Sequence, residues 1–374
     1  MSARSDVNPV KVAKYDQTHA PTDDQWFEVA TRDARSASRM LARTRSGPRN
    51  QALLKAAAHL REYETAILRE NRLDLEAFSG PEHLRDRLVL DQKRVQGLAA
   101  ALEAIAYLPD PLVPGDNGWV RPNGLHIQEV PAPIGVIGMI YESRPGVGIE
   151  AAGLCIKSGN AVILRGGSEA MNSTRALHAS IIAGLRRAGL PEHAVQIAPS
   201  ADRALVGKML AAAGEIDLLI PRGSASLVRR VTQEARVPVL AHSEGVNHTY
   251  IHEAADLAMA RAIITNAKMR RPSVCGATET ILIDAALDHI EHYGSHHTDA
   301  IVTEDTATAR RFLAECDSAV TMWNTSTQFS DGGEFGYGGE IGISTGRIHA
   351  RGPIGLRQLV TKRYNVTGTG QLRP

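Results

Sequence analysis

Two hydrophobic rhythms divide the chain. From Trp26 to Phe78, in WFEVATRDARSASRMLARTRSGPRNQALLKAAAHLREYETAILRENRLDLEAF, apolar residues return at the spacing of an amphipathic helix. Gly47-Pro48 interrupts the pattern there, which predicts a helical hairpin. LRDRLVLDQKRVQGLAAALEAIAYLPDP adds a further helix, ended by Pro109 and Pro111. From Pro133 onward the rhythm changes to short runs rich in Val and Ile: PIGVIGMIY, AVILRGG, AVQIAP, IDLLIP and VPVLAH. Helix-length segments separate them, GVGIEAAGLCIKSGN, SEAMNSTRALHASIIAGLRRAGLP, RALVGKMLAAAG and SASLVRRVTQEAR. Strands without polar alternation, each followed by a helix, imply a parallel sheet covered on both faces, because parallel strands must be joined by crossovers. The expectation is a doubly wound α/β domain of five strands, with its ligand at the strands' carboxyl ends, where ILRGGSEA and LLIPRGSA fall.

A second region begins near His242: HTYIHE reads as strand, AADLAMARAIITNAKMRR as helix, and TETILID as strand after a cysteine-bearing loop. DSAVTMWNTS reads as a further strand. DGGEFGYGGEIGISTGRIHARGPIG is too glycine-rich for regular structure and suggests a loop lining a ligand. No internal repeat or low-complexity linker is present.

At 374 residues and 43% hydrophobic, the chain can build two packed domains. Forty-two basic against forty-one acidic side chains, with aromatics at 4%, give no global field and few stacking platforms, which argues against a nucleic-acid partner. The first 25 residues read as a flexible tail with no apolar signal core, and no run is long and apolar enough for a membrane span. Cys155, Cys275 and Cys316 are odd in number and form no CxxC pair, so neither disulfides nor a zinc motif are expected. A cytoplasmic protein without membrane contact is the expectation.

No G-x-G-x-x-G fingerprint occurs at a strand-to-helix turn. Gly166-Gly167-Ser168 and Gly223-Ser224 do open two helices, each beside an arginine, Arg165 or Arg222. Such turns either cap a helix with serine or let backbone N–H groups approach a phosphate, and the paired arginines favour cofactor binding. Cys275 follows Arg270 and Arg271 in a proline-to-glycine loop. It is either a nucleophile, its pKa depressed by those arginines, or a structural cysteine. Cys155 and Cys316 lie in apolar contexts and read as small core residues. His292, His296 and His297 cluster in sequence, but adjacent loop histidines without a carboxylate partner argue for polar or ligand-orienting roles, and no metal is expected. Glu244 is either a general acid/base or a loop carboxylate.

The blocks PIGVIGMIYESRPGVGIEAAGLCIKSGNAVILRGGSEA, HSEGVNHTYIHEAADL, NAKMRRPSVCGATETILID, YGSHHTDAIVTED and KRYNVTGTGQLRP closely resemble the gamma-glutamyl phosphate reductase family of the aldehyde dehydrogenase superfamily. The resemblance runs from the helical hairpin to the C-terminus. It implies an aldehyde dehydrogenase-like α/β fold: a cofactor-binding domain at 26–118 and 131–241, a catalytic domain at 242–353, and a small oligomerisation element at 119–130 and 354–374. It further implies NADPH-dependent reduction of L-glutamyl 5-phosphate to L-glutamate 5-semialdehyde in proline biosynthesis. Cys275 would be the nucleophile, with Ser143 and Glu244 in catalytic roles and a backbone N–H at Cys275 for the oxyanion. Arg144, Arg270, Arg271, His296 and His297 would hold substrate. Arg165, Gly167, Ser168 and Glu169 would meet the adenosine ribose, and Gly223 with Ser224 the pyrophosphate. A homo-oligomer and a contact with glutamate 5-kinase are the implied partners.

One departure stands out. Members of that family carry several dozen further residues after the strand that follows the cysteine, including a Glu-containing block at the nicotinamide ribose. Here TETILID runs almost directly into AALDHIEHYGSHH, so a shortened catalytic domain is expected. Two function classes follow: an active reductase, and a non-catalytic homologue that binds NADP and serves as an assembly partner. An oxidising aldehyde dehydrogenase fits the family-specific blocks less well.

Overall fold

The computed structural model describes residues 22–373 apart from 116, 143, 243, 273, 284 and 285. Most of the tail read at 1–25 therefore lies outside the described residues; Asp23 already begins α1 (Asp23–Arg43), capped by Thr22 in a reciprocal box with Gln25. α2 (Ser46–Glu62), α3 (Glu64–Ala77), α4 (Glu82–Leu88) and α5 (Gln92–Tyr107) follow. The hairpin break falls at Thr44-Arg45 rather than at Gly47-Pro48. Proline is tolerated in a first helical turn, where its missing N–H would be unpaired anyway, so Pro48 lies in the first turn of α2 instead of ending α1.

β1 (Trp119–Val120) and β2 (His126–Pro133) lead into the first domain's strands, β3 (Val136–Tyr141), β4 (Ala161–Arg165), β5 (Val195–Ile197) and β6 (Leu218–Arg222). These four are parallel in the order β5-β4-β3-β6, joined by α6 (Val147–Lys157), α7 (Met171–Arg187) and α8 (Arg203–Ala211). Alternate residues serve opposite cores. Ile137, Met139, Val162, Leu164 and Ile220 pack towards α2, α5, α6 and α7, while Val136, Ile140, Ile163 and Leu219 pack towards α1, α8 and α9 (Ala225–Glu234). The expected fifth strand, VPVLAH, contributes one isolated bridge, Val239 to Leu219. Pro238 supplies no N–H to a ladder, which limits the pairing.

The second sheet holds β7 (Asn247–Ile251), β8 (Thr278–Leu282), β9 (Thr298–Val302) and β10 (Val320–Trp323), all parallel, in the order β10-β9-β7-β8. α10 (Leu257–Met269), α11 (Ala286–Tyr293) and α12 (Thr306–Glu315) connect them. β8 is an edge strand. The glycine-rich stretch, expected to be irregular, contains a short antiparallel pair, β11 (Gly342–Ser344) with β12 (Gly352–Ile354). β13 (Val360–Thr367) returns along β2, so the segments read as an oligomerisation element form a three-stranded antiparallel sheet with β1. Among the described residues no helix is long and apolar enough to cross a membrane.

A buried ionic knot fastens α2 to α6 and to the end of α5. Arg49, 1% exposed, donates from Nη2 to Asp110 Oδ2 at 2.7 Å and from Nη1 to the Lys157 carbonyl. Lys157 Nζ reaches Asn50 Oδ1 at 2.7 Å and the Ala106 carbonyl at 2.8 Å. Removing one member leaves the others charged or polar and desolvated. Arg49→Ala is therefore expected to destabilise the fold by about 3–5 kcal/mol. Urea unfolding followed by circular dichroism reads this, and a change under about 1 kcal/mol, the range of exposed pairs, would mean the knot is solvated.

Candidate active site

The carboxyl ends of β3 and β6 meet the amino ends of β7, β8 and β9, and the chemistry-bearing side chains converge there. Cys275 sits in the loop between α10 and β8 and is half-buried. Asn247, at the start of β7, donates from Nδ2 to the Cys275 carbonyl at 2.6 Å and to the Ala277 carbonyl at 3.0 Å, and accepts from the Thr298 N–H at 3.2 Å. One buried amide thus ties the cysteine loop to two strands. Gly245 lies against the same loop: a Cβ there would sit 2.2 Å from the Cys275 carbonyl oxygen, so only glycine permits this approach.

The electrostatics of the thiol differ from the expectation. Arg270 and Arg271 are exposed, and Arg270 Nη1 turns to Gln328 Oε1 at 3.4 Å. They are not among the groups that act most on the Cys275 thiol. Burial raises its pKa, Arg222 opposes that rise, Glu340 adds to it, and the cysteine's own N–H and Arg144 lower it. Arg222, at the end of β6, is the cation that matters most to the thiol, and its Nη2 pairs with Glu340 Oε1 at 3.3 Å. Glu340 and Glu150 are both held above the usual carboxylate range by burial, with Arg222 pulling each back down. Arg144, partly desolvated and beside Arg222 and Arg87, has its own pKa lowered. Cys155 and Cys316 are buried, and burial pushes both thiols up, Cys316 to about 11, which agrees with their reading as core residues.

The three sequence-adjacent histidines separate. His292 is exposed on α11, and His296, at φ 56°, bonds the Asp317 carbonyl at 2.9 Å on the surface. His297 alone enters the site. It is fully buried, meets Thr298 Oγ1 through Nδ1 at 2.9 Å, and packs edge-on against His242 with ring centroids 5.1 Å apart. One ring nitrogen of each histidine and the Cys275 sulfur all lie within 4.8 Å of one another. Burial, then its two cationic or ionisable neighbours His242 and Arg222, pushes His297 down to about 3, and burial lowers His242 as well. Both rings are neutral at pH 7. Glu244 is exposed, and Ser143 lies outside the described residues.

Both expected phosphate turns carry a carboxylate. Asp74 of α3 accepts from the N–H groups of Asn172 and Ser173 at 3.1 and 2.8 Å, filling the N-terminus of α7 after Gly166-Gly167-Ser168. Glu142 accepts from the Ser224 N–H at 2.8 Å, at the start of α9 beside Gly223. Glu169 folds back over Gly167, where a Cβ would meet its carboxylate at 2.3 Å. Arg165, at the end of β4, is buried; it donates from Nη2 to the Ala201 carbonyl, and its Nε has no hydrogen-bond partner among the described residues. Burial lowers the Arg165 pKa, and the Glu169 and Glu142 carboxylates oppose that fall.

The family model described as the aldehyde dehydrogenase family matches residues 2–291. Gamma-glutamyl phosphate reductase from Acidiphilium cryptum is 52% identical over 418 positions, spanning 96% of this chain and all of that protein. The chain belongs to the gamma-glutamyl phosphate reductases of the aldehyde dehydrogenase family. The Gluconobacter oxydans reductase is 53% identical over 403 positions, spanning 91% of this chain and 94% of its own length. The crystal structure of the Thermotoga maritima reductase superposes with a TM-score of 0.89 at 35% identity, covering 93% of this chain and 99% of that one. The aldehyde dehydrogenase-like fold expected from the sequence is the observed one. The alignment to the Acidiphilium protein is longer than the 374-residue chain, so that relative carries residues with no counterpart here.

Sequence reasoning missed His242, Asn247 and Glu340 as site residues and placed Arg222 at a cofactor turn. Only the strand-end position of Arg222 and Asn247 was available as a signal.

Proposed function

We propose that the chain reduces L-glutamyl 5-phosphate to L-glutamate 5-semialdehyde with NADPH, releasing phosphate, in proline biosynthesis from glutamate. The observation that carries this reading is the placement of the Cys275 thiol between two neutral histidines and within electrostatic reach of Arg222 and Arg144. An anionic acyl phosphate needs cations beside its leaving group, and a thiol whose pKa is raised by burial needs a nearby proton acceptor. His242 is the acceptor of choice: its Nδ1 bonds the Ile343 carbonyl at 2.9 Å, which leaves Nε2 with the lone pair.

The thiolate attacks the acyl carbon, the carbon–oxygen bond to phosphate breaks, and phosphate departs against Arg222 and Arg144. The backbone N–H of Cys275 stabilises the developing oxyanion, with Ser143 assigned beside it from the family pattern. A bound NADPH supplies the hydride that reduces the resulting thioester. The aldehyde then leaves as the carbon–sulfur bond breaks. Arg270, Arg271 and His296, all exposed, are left as contacts at the rim, and Glu244 has no role that its position supports.

NADPH fits the adenosine half of the first domain: Arg165 offers an unpartnered buried N–H beside Glu169 and Ser168, at a strand's carboxyl end. At Gly223-Ser224 the Glu142 carboxylate occupies the anion position and must turn away for pyrophosphate to bind. Arg165→Leu is expected to raise the KM for NADPH far more than that for NADH, because a guanidinium meets a 2′-phosphate and gains little from a hydroxyl. Equal effects on both cofactors would assign Arg165 a structural role.

A homo-oligomer is the proposed assembly. The β1–β2–β13 sheet exposes Trp119, Val120, Tyr364 and Val366, apolar surface that a second copy would cover. The reaction itself is tested in reverse: phosphate-dependent reduction of NADP+ by glutamate semialdehyde is expected. NADP+ reduction that proceeds equally without phosphate would mark an oxidising aldehyde dehydrogenase, and none at all would favour the non-catalytic assembly partner.

A further inference from the structure

We propose that Cys275, His242 and His297 form a three-ligand site for a soft divalent cation, Zn2+ by the chemistry of its donors, and that loading it withdraws the thiol from reaction. One sulfur and two imidazole nitrogens converge within 4.8 Å of one another. In a tetrahedral zinc site such ligand atoms stand about 3.3–3.6 Å apart, so a shift of about 1 Å closes the set. A thiolate with two imidazoles selects zinc or another soft transition metal over Mg2+ or Ca2+, which need oxygen donors.

The histidines are already oriented as metal ligands are. His242 Nδ1–H donates to the Ile343 carbonyl, the outer hydrogen bond that fixes the tautomer and turns Nε2 inward. His297 is the independent observation. It is 0% exposed, its Nδ1 is engaged by Thr298, and its Nε2 is buried with no partner among the described residues. A desolvated nitrogen lone pair without a donor is costly, and a metal ion satisfies it. Arg222 faces the site and opposes a cation, but it is paired with Glu340, and Glu150 and Asp331 add negative charge nearby. Cys275 and His242 are only half-buried, which leaves a path for the ion and a fourth position for water.

The coordination rests on the geometry alone; the loss of turnover rests also on Cys275 being the nucleophile. The test is a titration of the reduced full-length protein with Co2+ and Zn2+. One ion per chain is expected, with the sulfur-to-cobalt charge-transfer absorption and strong ligand-field bands of a tetrahedral site. Cys275→Ser should remove the charge-transfer band and weaken Zn2+ at least about a hundredfold. His242→Gln and His297→Gln should each weaken it at least about tenfold, the floor set by losses from outer-shell changes alone. Thermal unfolding checks that each variant folds, and if His297→Gln does not, His242→Gln at its half-buried position carries the test. Cobalt spectra without sulfur charge transfer, affinity unchanged in Cys275→Ser or His242→Gln, or no Zn2+ bound at micromolar concentration would each overturn the site. Zinc binding of the expected pattern in a protein without reductase activity would keep the site and reject the proposed reaction.

Discussion

Cys275→Ala is expected to remove turnover while leaving the NADPH dissociation constant nearly unchanged. The thiol is the strongest nucleophile among the described residues of the site, whereas the proposed adenosine contact, Arg165, lies at the end of β4 in the other sheet. Loss of a nucleophile that acts within a unit of partners costs on the order of 10⁴-fold or more in kcat, far beyond the loss of one hydrogen bond. Cys155→Ala and Cys316→Ala act differently. Both thiols are buried in apolar clusters, so truncation leaves a small cavity and lowers stability before it lowers rate. Single-turnover kinetics with the three variants separate these effects. Activity of Cys275→Ala within about tenfold of wild type would move the nucleophile elsewhere, and alkylation blocked by substrate at Cys155 would name that residue instead.

The second large effect concerns the short connection between β8 and α11. β8 is the edge of its sheet, Ile281 and Ile283 are 47% and 80% exposed, and Met269 and Tyr293 are exposed on the neighbouring helices. The Acidiphilium relative carries residues this chain lacks; the family resemblance implies that they belong between Asp284 and Ala285, which lie outside the described residues. If that segment clamps the nicotinamide ribose, the adenosine half and Cys275 survive its loss while the hydride donor is loosely placed. A misplacement of about 1 Å costs about a hundredfold in rate. NADPH affinity is therefore expected to match that of full-length relatives, with kcat about a hundredfold lower. Grafting the relatives' segment between Asp284 and Ala285 should raise kcat more than it changes KM. An ungrafted protein that already turns over like its relatives would remove the clamp argument.

Much of the first domain could be read from sequence, because its strands are uniformly apolar and its crossovers carry plain helical spacing. The exceptions have local causes. Pro238 weakens VPVLAH as a strand, and Pro48 sits in the first turn of a helix it was expected to interrupt. The second sheet was less legible: β9, in the stretch HTDAIV, begins with the buried polar residues Thr298 and Asp299, which hide it from an apolar-run criterion. The cysteine was visible from its loop, but its electrostatic partners were not. Arg270 and Arg271 are near in sequence but exposed, while Arg222 and His242 arrive from 53 and 33 residues upstream through the topology. Burial, a property of the assembled fold, raises the thiol pKa where sequence neighbours suggested a fall. The carboxylates that fill both helix N-termini, Asp74 and Glu142, also come from other elements, so no turn motif could announce them.

The central claim is that acyl-phosphate reduction passes through a thioester on Cys275. The most direct measurement is mass spectrometry of the protein quenched after mixing with L-glutamyl 5-phosphate in the absence of NADPH. The account predicts one added glutamyl group per chain, located on the peptide that contains Cys275, discharged on addition of NADPH, and missing from Cys275→Ala. No adduct on wild type while NADPH is still oxidised on substrate addition, or an adduct on any other residue, would contradict it.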